Sequence, residues 1–121
     1  MTIDQAIDRV DRLKCNAYTL REKREWLARL EGIIRKIILE THGPGLPLRE
    51  PVGEMGGDWE LTAPAPFDTL YTRWLEAQID LYNGEPERYN GSIALFNAEF
   101  AAFESWYNRN FPPKNAGTWR G

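Results

Sequence analysis

The chain is poor in the residues that most metal sites and nucleophilic catalysts require. Its 121 residues include one cysteine, Cys15, and one histidine, His42. A lone thiol forms no bridge within the chain, and a reducing compartment is the expectation. One thiol and one imidazole leave no zinc ligand set and almost no Cys–His chemistry. Long apolar runs are missing as well: no window nears the roughly 18 consecutive apolar residues of a spanning helix. The opening MTIDQAIDRVDRLK carries Asp4, Asp8 and Asp11 where a signal peptide is apolar, so secretion is not expected. There are no internal repeats and no low-complexity tract. What is present is ordinary for a globular domain, with 42% hydrophobic and 27% charged residues. A domain of this length buries about two thirds of the surface its unfolded chain exposes. These balances point to one cytosolic domain, a binding or assembly part rather than an enzyme.

The net charge of −3 conceals a division along the chain. Residues 1–40 carry +2, residues 41–108 carry −8, and residues 109–121 carry +3 from Arg109, Lys114 and Arg120. One reading is solvated helix faces, where exposed pairs contribute about 0–1 kcal/mol each. The sharper reading is a basic end meeting the acidic body of a neighbouring copy. Sequence-independent nucleic-acid binding is disfavoured, because it needs a dense basic stripe on a basic domain.

Hydrophobic spacing predicts an all-α domain with four helices. The first spans Ile3 to about Lys14, with Thr2 and Gln5 at capping-box spacing and Ile3, Ala6, Ile7, Val10 and Leu13 on one side. Cys15–Tyr18 reads as a connector. Thr19 and Glu22 then open a second helix, whose Leu20, Leu27, Leu30, Ile34, Ile37 and Ile38 form a stripe that Gly43-Pro44 ends. Residues 43–58 hold five glycines and three prolines, and the whole segment 43–66 reads as an arm. Trp59–Thr62 alternates like a short strand. A third helix is expected from Pro66 or Phe67 to Asn83-Gly84. The fourth opens at Pro86 or, because of Gly91, at Ser92, and runs to about Asn108. Its Tyr89, Ile93, Phe96, Phe100, Phe103 and Tyr107 make an aromatic seam, and Ala94, Ala98, Ala101 and Ser105 make a small-residue row that implies a second, closely approaching neighbour. The organisation expected is a four-helix bundle-like domain over 1–110 with the arm at 43–66, followed by a mobile tail over 111–121.

No constellation for catalysis, cofactor or metal emerges. Glu76 and Asp80 share a helix face, yet a di-metal carboxylate site needs Glu-x-x-His pairs that the chain cannot supply; a solvated acidic face is the expectation. His42 at a helix end reads as a capping cation, and Cys15 as a connector residue. The glycines of the arm lack the Lys-Ser or Lys-Thr of a phosphate loop. The residues assigned to partner contacts are Met55, Trp59 and Leu61 in the arm, with Arg109, Phe111, Lys114, Trp119 and Arg120 at the C-terminal end. Apolar arm residues are costly to leave in water, and a Trp beside an Arg in a tail is the type of anchor enriched at interfaces.

The stretches REWLARLEGIIRKIILETH, LTAPAPFDTLYTRWLEAQIDLYNGE and RYNGSIALFNAEFAAFESWYNRNF resemble the small head–tail connector (adaptor) proteins of tailed phages and prophages, and the first fourteen residues are similar to theirs too. The most distinctive part is the Ala-Pro-Phe-Asp, Leu-Glu-Ala-Gln-Ile-Asp, Tyr-Asn, Phe-Asn-Ala, Trp-Tyr-Asn-Arg progression; Cys15, Pro86 and Gly91 depart from it. The resemblance implies an all-α structural subunit, without catalytic residues or cofactors. Such a subunit forms a ring between portal and tail-completion proteins in the virion neck after assembly in the host cytoplasm. DNA passes through it without specific binding, no membrane is involved, and the free chain can be a monomer. The alternative, from another class, is an intracellular helical adaptor or chaperone module that binds a peptide or helix in an aromatic groove.

Overall fold

A computed structural model describes residues 1–41 and 55–111, with the backbone alone for 39–41. The described residues form four α-helices, α1 (Ile3–Leu13), α2 (Leu20–Thr41), α3 (Thr69–Tyr82) and α4 (Pro86–Asn110), and no strand. His42, Lys114, Trp119, Arg120, the arm residues 43–54 and the tail beyond Phe111 lie outside the described residues, as does the expected Gly43-Pro44 stop.

The start of α1 is fixed by a reciprocal pair of hydrogen bonds: Gln5 N–H donates to Thr2 Oγ1 at 3.2 Å and Thr2 N–H to Gln5 Oε1 at 2.8 Å. Each satisfies a donor that the helix itself leaves without a partner. Ile3, Ala6, Ile7 and Val10 are buried at helical spacing. Leu13, expected on the same stripe, is 83% exposed instead. At 100° per residue it sits about 80° from Ile3, at the margin of the apolar face and in the last turn. At α2, Thr19 Oγ1 accepts from Glu22 N–H at 3.1 Å, while the Glu22 carboxylate takes the Thr19 hydroxyl rather than its amide. Leu27, Leu30, Ile34 and Ile38 are buried along α2; Leu20, placed on the stripe by spacing, is half exposed.

α3 starts at Thr69, later than the proline had indicated, because residues 65–68 form turns: Phe67 N–H donates to Pro64 O and Leu70 N–H to Phe67 O. Its end follows the sequence closely. Gly84 takes a φ of +71°, its N–H donates to Leu81 O, and Glu85 N–H donates to Asp80 O. These are the two bonds of a Schellman ending, and the left-handed φ explains the glycine. α4 begins at Pro86, where the ring fixes φ and the missing N–H costs nothing. Gly91 therefore lies inside the helix, not in the turn.

α3 is the central helix: α1, α2 and α4 all pack on it, and α1 also packs on α2. The seam of α4 faces α3, with Phe96, Phe103 and Tyr107 buried and Ile93 and Phe100 half-buried against the same core. Rings run in sequence from Trp74–Phe96 (5.1 Å between centroids) through Phe100 and Phe103 to Trp106, Tyr107 and Phe111. Among the described residues the small-residue row has no second neighbour: Ala94, Ala98, Ala101 and Ser105 are all exposed. No helix among the described residues supplies the closely approaching neighbour that the row implies.

Candidate interaction surface

The segment after Met55 is drawn into the core. Ile3 N–H donates to Trp59 O and Leu61 N–H to Met1 O, forming a single antiparallel bridge between Thr2 and Glu60. The alternation of Trp59–Thr62 thus yields one bridge rather than a strand. Trp59 and Leu61 are 7% and 5% exposed, and Ala63 is fully covered. Met55 is half-buried against the same cluster.

A carboxylate fastens this segment. Glu31, fully buried on α2, accepts four hydrogen bonds: from Trp59 Nε1 (2.8 Å), Thr62 N–H (2.9 Å), Thr62 Oγ1 (2.8 Å) and Tyr71 Oη (2.7 Å). Tyr71 Oη in turn accepts from Ala63 N–H at 3.0 Å. The Arg35 guanidinium lies 5.5 Å over the Trp59 ring. Burial first, and then the Glu31 charge, push the Tyr71 phenol far above the ordinary tyrosine range, so it stays a proton donor. A buried carboxylate is tolerated only where its lone pairs are filled, and here α2, α3 and the segment 59–63 fill them together.

Two further polar nodes tie the ends. Asp80, 1% exposed, receives Lys14 Nζ from the end of α1 and Ser92 Oγ from α4. The acidic face expected at Glu76 and Asp80 is therefore not a solvated one. Glu76 turns to Arg73, so the two carboxylates share no cation. Lys23, also buried, donates to Asp11 and Asn16 and fixes the connector. At the other edge Arg24 makes a two-pronged pair with Asp4 (2.9 and 2.7 Å), which holds the Asp4 carboxyl below its ordinary range. Gly57 is needed beside it: a Cβ there would sit 2.1 Å from Asp4 Oδ2.

Of the residues assigned to partners, Trp59 and Leu61 are corrected: their side chains are spent inside their own chain, because Glu31 and the start of α1 offer partners that water-exposed arms lack. Arg109 is exposed on the last turn of α4, and Phe111 is half-buried, stacked 4.8 Å from Tyr107. Met55 and Phe111 both pack against the core cluster, while Arg109 is exposed. Between α2 and α4, the space among Ile34, Ile38, Phe100, Phe103 and Tyr107 measures about 30 Å³. No group of three His, Cys, Asp or Glu fit to hold a metal occurs among the described residues, and none of their helices is long and apolar enough to cross a membrane.

Sequence reading missed Glu31, Tyr71 and the Lys14–Asp80–Ser92 node. The available signal was an acid within an apolar stripe. Glu31 follows Leu27 by four and precedes Ile34 by three, and Asp80 adjoins Ile79. No family model, no curated protein and no solved structure matches the chain.

Proposed function

We infer that the chain is a virion-assembly protein of the head–tail connector kind: a four-helix bundle-like subunit of a ring between portal and tail that extends the DNA conduit. The observation that carries this reading is the resemblance of 24–42, 61–85 and 88–111 to such proteins. The helical architecture is compatible with it. So is the acidic balance of 41–108, which suits a passage along which DNA slides without sticking. Contacts in a ring are individually weak and gathered by multiplicity. Arg109 and Phe111 lie at the C-terminal end of α4 and, with the residues that follow them in sequence, are assigned to portal or tail partners.

The test removes the gene from the phage or prophage genome that carries it and restores it as full-length chain or as a version ending at Phe111, which keeps the Tyr107 stacking. Without the gene, DNA-filled heads and separate tails are expected. The shortened chain should keep its helix content and restore few joined particles. Infectious particles formed without the gene would end the connector reading; full rescue by the shortened chain would remove the tail from it.

A further inference from the structure

Among the described residues, α1, α2 and α4 all pack on α3, whereas α4 keeps one face exposed. Leu95 on that face is 50% exposed, and a Cβ added at Gly91 would meet nothing within 4 Å. The chain gains nothing from glycine at this position, although glycine inside a helix costs about 0.5–1 kcal/mol against alanine. Charge is distributed unusually along the face. Between Glu87 at its start and Arg109 at its end, about 33 Å apart, it holds only small or apolar residues. Neither Glu87 nor Arg109 has an ion-pair partner among the described residues.

The face also places small or apolar residues, and opposite charges at its ends, at equal distances on either side of Ala98. Gly91 and Ser105 are equidistant from it, as are Ala94 and Ala102, Leu95 and Ala101, and Glu87 and Arg109. All of them are exposed. Turned end over end and laid on itself, the helix sets Leu95 over Ala101, glycine over serine, and an acid over a base at each end. A two-fold contact must be self-complementary in this sense. A parallel pairing would instead oppose Glu87 to Glu87 and Arg109 to Arg109. From this we propose that the outer face of α4 is a homodimer contact, in which α4 of a second copy of this chain packs antiparallel across a two-fold axis at Ala98.

Small side chains let such helices approach to about 8 Å between axes. The footprint, about 33 Å by 10 Å, falls well below the ~800 Å² per partner of a standard interface. The pair is accordingly weak and forms at high concentration. It goes beyond the connector reading: a ring closes through head-to-tail contacts, whereas this contact joins two free chains face to face.

The test is disulfide trapping of the isolated protein in a Cys15→Ser background. Residues facing each other across the axis have Cα atoms roughly 4–6 Å apart, within disulfide reach. Ala98→Cys should convert to a reducible species of doubled mass under mild oxidation. Gly91→Cys and Ser105→Cys should cross-link to each other when mixed and neither to itself. Ala98→Arg, an exposed change that keeps helix content, should abolish dimer in sedimentation at high concentration. Absence of the 98–98 cross-link overturns the proposal. So does self-linking at both 91 and 105, which indicates parallel pairing, or trapping of position 98 only by cysteines placed on α2, which indicates a head-to-tail contact. None of these outcomes depends on whether the connector reading holds.

Discussion

The segment 55–63 and the outer face of α4 make opposite use of similar raw material. Both hold small or apolar residues that sequence reading gave to contacts with neighbours: Met55, Trp59 and Leu61 in the segment, and the alanine row on α4. The segment is closed: Trp59, Leu61 and Ala63 are buried, and every donor they bring to Glu31 or Tyr71 is taken. The α4 face is open: Ala94, Leu95, Ala98, Ala101 and Ser105 are all exposed. What separates them is whether a buried polar group stands ready. Glu31 must be satisfied or the core pays the desolvation of a carboxylate, so the segment folds inward. Nothing under the alanines of α4 makes any such demand.

The largest expected effect separates the two modes of cohesion. Glu31→Ala strands the donors of Trp59, Thr62 and Tyr71 and should cost about 3–5 kcal/mol in chemical denaturation. Phe103→Ala, at the centre of the ring series, should cost a similar ~3–5 kcal/mol through its cavity. The comparison sharpens in how they fail. The first should expose Trp59 to acrylamide quenching before global unfolding, which single-tryptophan variants would resolve, and the second should not. A smaller loss follows Gly57→Ala. The new methyl displaces Asp4 from Arg24, and a loss of about 1–3 kcal/mol is expected, with Asp4→Ala Gly57→Ala no worse than Asp4→Ala alone.

Smaller still is the pH effect at Asp4. Its folded pKa lies below the ordinary aspartate value of about 3.9, chiefly through the Arg24 hydrogen bond. Its stabilisation is therefore complete above that value and is lost as pH falls through the folded pKa. The carboxylate is partly exposed, which limits the effect to under ~1 kcal/mol. Denaturation of Asp4→Asn should match the parent at pH 2 and fall short of it at pH 6. Ala98→Arg should change monomer stability by no more than about 0.5 kcal/mol, the smallest effect of the set, while removing self-association.

Local rules carried most of the architecture. Thr2 with Gln5, Asn83-Gly84 and Pro86 mark their helix ends by backbone chemistry that acts within a few residues, so their effects are legible in sequence. The seam Phe96–Phe103–Tyr107 is legible for the same reason, through spacing. The start of α3 was misplaced because Pro66 suits a turn as well as a first helical residue. The fate of Trp59 and Leu61 was illegible: it depends on Glu31, 28 residues from Trp59 along the chain, and on Met1 and Ile3, at the other end of it. Leu13 shows the converse, a residue placed by periodicity that no neighbour reaches.

The central claim is that segment 59–63 belongs to its own subunit, leaving recognition to α4 and the C-terminal end. Native-state hydrogen exchange on dilute, monomeric protein tests it most directly at the amides of Leu61, Thr62 and Ala63, which donate to Met1 O, Glu31 and Tyr71. The account predicts exchange as slow as that of the buried turns of α1 and α3. Exchange at the rate of an unstructured peptide, with α1 and α3 still protected, would contradict it.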